Sequence, residues 1–199
     1  MEPRTRIALI GLGNGFRRDD GVGRAVVDAL CGRAVEQPLP PGVALGTCDD
    51  DAVRLVGLWH EADLAVVVDA CHAHPGHPGR VTRLELDAER LVRPADRRVC
   101  GRVLDEAVEL SRMLGRLPRR LVVYAVQGAD ASLGTGLSPA VAAMVEPIAA
   151  SVEGEIDRHR AAALATSAAR APRVDGHRPD PVACSPLQQP PGGTRRRTA

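Results

Sequence analysis

Three short apolar runs stand out along this chain: Arg6–Leu12, Leu64–Ala70 and Arg120–Val126. Unbroken apolar runs of this length, bounded by glycine and polar residues, read as strands buried on both faces. Between them the period changes. Over Gly21–Ala34 the apolar positions Val22, Ala25, Val26 and Leu30 share one helical face, with Asp19 or Asp20 placed to cap the helix. Val43–Thr47 reads as a short strand, and Asp51–Trp59 as a short helix with Leu55 and Leu58 inward. Arg80–Leu86, apolar at Val81, Leu84 and Leu86, suits an edge strand, and Leu104–Leu114 an amphipathic helix. Ser138-Pro139 opens a last helix with a cap and a first-turn proline; it is expected to kink at Pro147 and run to about Asp157.

The order β-α-β-α-β-β-α-β-α predicts an α/β three-layer sandwich: a mostly parallel, twisted sheet of about five strands with helices on both faces. In such sheets ligands bind outside the carboxyl ends of the strands. The segments to examine are therefore Asn14–Asp20, Cys48–Asp51, Asp69–His77 and Gln127–Asp130.

Composition narrows the picture. The aromatics are Phe16, Trp59 and Tyr124, so the core must be built from Val, Leu, Ala and Ile. Every basic side chain other than histidine is Arg, which fits a GC-rich coding sequence. The net charge of +1 hides an asymmetry: from Arg158 onward eight arginines face Asp175 and Asp180, +6, leaving residues 1–157 at −5. An acidic folded part argues against nucleic acid as the main partner. Residues 158–199, rich in Arg, Pro and Ala, are expected to form a disordered tail on a domain spanning 1–157. No apolar run approaches the ~20 residues of a membrane helix, and the N-terminus lacks the marks of a signal peptide. Five scattered cysteines without a C-x-x-C pair fit reduced thiols in a cytoplasmic protein.

The loop after the first strand, Gly11-Leu-Gly-Asn-Gly-Phe-Arg-Arg-Asp-Asp-Gly-Val-Gly23, resembles a nucleotide-binding loop at first sight. The dinucleotide pattern G-x-G-x-x-G fails at Phe16, no phosphate-loop Lys-Ser/Thr follows, and Asp19 and Asp20 would repel a phosphate. A nucleotide cofactor is not expected. Asp20 closes this loop, and Asp69 ends an otherwise apolar strand, where a carboxylate is costly to desolvate without a cation or donors. Two such carboxylates facing one crevice suit a divalent metal; the simpler role for either is to cap a loop or a helix start.

With G-L-G-N-G-F-R-R-D-D-G-V-G (11–23), V-V-V-D-A (66–70) and G-A-D-A-S-L-G-T-G-L-S-P (128–139), the chain resembles the nickel–iron hydrogenase maturation endopeptidases over about residues 5–150. The resemblance implies a monomeric cytoplasmic peptidase that cuts the C-terminal extension from a hydrogenase large-subunit precursor once nickel, carried by that substrate, is in place. It implies metal-contacting or catalytic roles for Asp20 and Asp69. The family's third contact, a histidine preceding a helix, falls on Cys100, whose thiolate is a competent ligand for nickel or zinc. The family's Asp-Gly-Gly-Thr after the second strand reads Thr47-Cys-Asp-Asp-Asp51 here, with Asp49 as a substitute. Directly after Asp69 comes Cys71-His-Ala-His-Pro-Gly-His77: His72 and His74 could complete the site, or the whole stretch, His77 included, is a solvated loop. Asn14 either donates into the site or tolerates a left-handed turn. With no G-x-S-x-G and no H-E-x-x-H, an ordinary serine or zinc protease is disfavoured. The departure at Cys100 supports an alternative, a non-cleaving assembly factor that binds the large subunit or nickel.

Overall fold

The computed structural model describes residues 6–72, 76–87 and 101–170. Five strands, β1 (Ile7–Leu12), β2 (Val43–Cys48), β3 (Leu64–Cys71), β4 (Val81–Asp87) and β5 (Arg120–Gln127), form one sheet in the order β2-β1-β3-β5-β4. All neighbours are parallel except β4, which runs antiparallel to β5 at the edge. The alternation of each strand divides its side chains between two cores. Ile7, Leu9, Val66, Val68 and Val122 face α1 (Val22–Glu36) and α5 (Val145–Arg170). Ala8, Ile10, Ala65, Val67 and Val123 face α2 (Ala52–Trp59) and α3 (Arg102–Leu114). This is the expected three-layer arrangement, and with so few aromatics the one tryptophan carries much of the second core. Trp59 is fully buried and donates its ring N–H to Ser111 Oγ at 2.9 Å.

The last helix departs from expectation in two ways. It is broken before Pro147 rather than kinked at it: α4 (Pro139–Ala142) ends and α5 restarts at Val145. The break puts Pro147 in a first turn, where its missing N–H has no intrahelical partner and its ring escapes the carbonyl four residues back. α5 then runs past Asp157 to Arg170. The Ala-rich stretch there has high helix propensity, and it continues the helix although its side chains are mostly exposed. Residues 171–199, the greater part of the expected tail, lie outside the described residues.

β1 leads to β2 on one side of itself, and β2 leads back across to β3 on the other. The crevice outside the carboxyl ends of β1 and β3 is thus a topological switch point, the place where such sheets bind ligands.

Candidate active site

The β1–α1 connection is a tight loop ending in a short turn of 3-10 helix, Arg18–Gly21. Gly13 adopts φ +112°, and a Cβ there would lie 2.1 Å from Asp20 O, so only glycine lets the loop fold back this closely. The loop closes on itself through Asp20, whose Oδ2 accepts the Asn14 N–H at 2.7 Å. Asn14 thus donates to the site through its main-chain N–H and does not take the left-handed conformation; its Oδ1 accepts the Phe16 N–H at 2.8 Å. The left-handed residue is Arg18 at φ 47°, held by its N–H to Gly134 O at 3.0 Å and its side chain to Asp130 at 3.2 Å.

Neither aspartate caps α1, whose N-cap is Gly21, without a side-chain hydrogen bond. Asp19 is fully buried and joins the loop to the segment after β5. Its Oδ2 accepts N–H bonds from Ala129 at 2.8 Å and Asp130 at 3.0 Å, and Ser138 donates through both N–H and Oγ, at 2.6 and 2.9 Å. Burial pushes its pKa up, but these donors outweigh burial and hold it below the usual carboxylate range. Asp19 was not legible as a site residue in the sequence, although the adjacent aspartate pair and the glycine- and serine-bearing 128–139 motif are the two halves it joins.

Asp69 sits one residue pair short of the end of β3 and is 5% exposed. By strand alternation it faces the α2/α3 side, where the Gly101 N–H at the start of α3 reaches its Oδ2 at 3.2 Å. A Cβ on Gly101 would lie 2.7 Å from that oxygen, so the helix start approaches the carboxylate as closely as glycine allows. Burial raises the Asp69 pKa to about 7; the Gly101 and Ala70 N–H groups oppose this, and the charges of Asp20 and Asp50 add to it. The Asp20 charge therefore reaches Asp69.

The other expected participants divide. Asp50 is a β2-end carboxylate whose charge reaches Asp69, while Asp51 caps α2 by accepting the Arg54 N–H at 2.9 Å. Asp50 was missed because nothing in Cys48–Asp51 distinguishes one aspartate from the next. His72 is on the opposite face of β3 from Asp69: a Cβ on Gly128 would lie 3.2 Å from His72 Cε1 and 3.1 Å from Asp19 Cβ. His77 is exposed, its N–H on Gln127 Oε1 at 2.8 Å. His74 and Cys100 lie outside the described residues, and among the described residues no three metal-binding side chains converge. Among the described residues the site has a buried carboxylate with no basic side chain paired to it, a second carboxylate whose charge reaches it, and a helix start closing one side.

No family model matches the chain. It is 28% identical over 144 residues to the hydrogenase 2 maturation protease of Escherichia coli strain K12, covering 71% of this chain and 85% of that protein. It superposes on the hydrogenase maturating endopeptidase HybD from E. coli with a TM-score of 0.62, at 25% identity over 78% of this chain and 94% of the other. A [NiFe] hydrogenase maturation protease from Thermococcus kodakarensis shares the fold, with a TM-score of 0.61 and 21% identity over 75% and 98% of the two chains.

Proposed function

We propose that this chain, which belongs to the hydrogenase maturation endopeptidase family, removes the C-terminal extension of a nickel–iron hydrogenase large-subunit precursor after nickel insertion. The observation that carries the reading is Asp69: a buried carboxylate pushed to about 7, with Asp20 and Asp50 adding negative potential and no ion pair to a basic side chain among the described residues. Such a group is best satisfied by a cation arriving from outside, because a divalent ion favours the ionised form and releases the proton.

In this reading Asp20 and Asp69 grip the nickel already lodged in the precursor, and Cys100, next in sequence to Gly101, supplies a third, softer ligand. The nickel polarises the scissile carbonyl or the attacking water. A carboxylate oxygen not engaged in the grip accepts the water's proton, and the departing amine takes it up. The Asp19 junction keeps Asp20 in register with the crevice while the precursor docks. No nucleotide takes part. The enzyme acts as a monomer in the cytoplasm; the thiols of Cys31, Cys48 and Cys71 are free, as a reducing compartment would leave them. No helix among the described residues is long and apolar enough to cross a membrane.

The direct test is to incubate the purified protein with nickel-loaded large-subunit precursor and follow intact mass. The precursor should lose its C-terminal extension, and a nickel-free precursor should stay whole. An uncut nickel-loaded precursor, beside a family member that trims its own substrate, would sink the reading in favour of a non-cleaving assembly factor.

A further inference from the structure

Seven large apolar side chains are exposed among the described residues; Val35, Val53, Met113, Leu114 and Leu164 stand on helices. The other two, Phe16 and Leu133, are 71% and 82% exposed and belong to the two loops that meet at the crevice. A single exposed apolar residue needs no explanation. These two are brought together from distant parts of the chain and held there. The Gly134 N–H donates to Phe16 O at 2.9 Å, the Arg18 N–H donates to Gly134 O at 3.0 Å, and Arg18 Nε reaches Ser132 Oγ at 3.2 Å. The Asp19 junction anchors the same two loops one residue from Asp20. These bonds fix the main chain at both tips next to each other. Beside them Arg17 and Arg24 make no ion pair among the described residues, and the Arg24 side chain runs along Gly15.

We infer that Phe16 and Leu133 form the apolar floor of a subsite for the precursor segment beside the scissile bond, and that Arg17 and Arg24 read an acidic side chain on that segment. The inference rests on the proposed cleavage function and deepens it. Two observations select this occupant. The patch is continuous with the loop that carries Asp20, so a peptide bound at that carboxylate has this apolar surface next to it. Its unpaired positive charge lies on a domain that is otherwise acidic, so the attraction is local and favours an anionic group at that point.

The test uses the full chain with Phe16→Ser/Leu133→Ser and, separately, Arg17→Glu. Nickel-loaded precursor is the probe, with equilibrium binding and trimming rates measured on the same samples. The substituted side chains are exposed, so melting temperatures should match the parent. The double variant should raise both Kd and KM about tenfold with kcat within about twofold, as expected when two contact residues are truncated. Arg17→Glu should raise KM and flatten its dependence on salt. Unchanged Kd and KM, or a fall confined to kcat, would overturn the subsite. If the parent binds but does not cut, the cleavage reading fails, and the subsite stands or falls on whether the double variant loses that binding. If the parent does not bind, both fail.

Discussion

Two buried carboxylates in this molecule face the same desolvation cost and meet it in opposite ways. Glu155, on α5, is fully buried against the sheet, with Arg83 at 2.6 Å, Arg158 at 2.9 Å and Arg120 at 3.6 Å, and Tyr124 donates its O–H at 3.2 Å. Burial pushes its pKa up, but the arginines pull it below the usual carboxylate range. Asp69, almost as buried, has backbone N–H groups and two further carboxylates for neighbours, and it is pushed up to about 7. One charge is neutralised by the chain's own cations and holds a helix on the sheet. The other, where the fold opens a crevice, has no cationic partner among the described residues. Perturbed titration in a cleft is a functional signature when no internal partner explains it, and Glu155 shows what an internal partner looks like here.

Replacing Asp69 with Asn should produce the largest effects and separate function from stability. Trimming of nickel-loaded precursor should fall by roughly a thousandfold or more, about 4 kcal/mol of transition-state stabilisation. Stability should move the other way. With a folded pKa of about 7 against an ordinary 3.8, the native state holds its proton longer than the unfolded chain. Ionising Asp69 therefore costs stability progressively from about pH 4 to 7 and fully above that, up to about 4 kcal/mol. The variant should melt higher than the parent at pH 8, and the gain should vanish near pH 4. A lower melting temperature at pH 8, or retained trimming, would break the contrast from the active-site side.

Glu155→Gln attacks it from the other side. Removing the buried carboxylate leaves Arg83 and Arg120 with Glu85 alone and takes the ion pair from Arg158, and about 3 kcal/mol of stability should be lost in urea unfolding at neutral pH. The sign of the pH dependence is reversed: a lowered folded pKa means stability that is present above the ordinary carboxylate range and lost as pH falls through the folded value. The deficit should therefore shrink under acid. Trimming per folded molecule should be unchanged, since the cluster lies away from the crevice.

A third buried carboxylate shows where sequence reading reached its limit. The strands were legible because doubly buried β1, β3 and β5 leave unbroken apolar runs, and Asp69 was legible because it interrupts one of them. Asp19 and Asp20 were not separable: identical neighbours, one buried beneath the loop and one turned to the crevice, differ only in the tertiary partners supplied by residues 129–138. The sequence left His72 open between a site partner and a solvated loop; alternation along β3 and its exposure favour the loop, since residues three apart on a strand fall on opposite faces. The end of α5 was misjudged for a different reason: an exposed Ala-rich stretch gives no amphipathic signal yet still favours helix. Cys100 lies outside the described residues, and its part rests on the resemblance alone.

Asp19 meets its desolvation with neutral donors, an intermediate solution between those of Glu155 and Asp69. Asp19→Ala should cost about 2 kcal/mol, since it strands buried N–H groups. It should lower kcat/KM roughly tenfold, because Asp20 is the next residue along the same turn. Its stabilisation, like that of Glu155, belongs to the ionised form and is lost under acid. Unfolding in urea at pH 7 and pH 3 checks both statements. A deficit equal at the two pH values would show that the carboxylate's charge plays no part.

The smallest effect is the most specific. Asp50 is exposed, and its charge is a minor contributor to the raised pKa of Asp69. Asp50→Asn should leave stability almost untouched, because exposed charges contribute little. It should lower the Asp69 pKa by less than about one unit, because solvent screens the pair. Carboxyl carbon NMR of the metal-free protein reads that shift directly, and the acid limb of kcat/KM should move to lower pH by the same amount. In about 1 M salt the Debye length shrinks to roughly 3 Å, and parent and variant should then coincide. A limb that does not move at low salt, or that moves upward, would mean that Asp69 does not sense the charge at the end of β2. Its elevation would then be due to burial and Asp20 alone, and the crevice would present two carboxylates to the incoming cation rather than three.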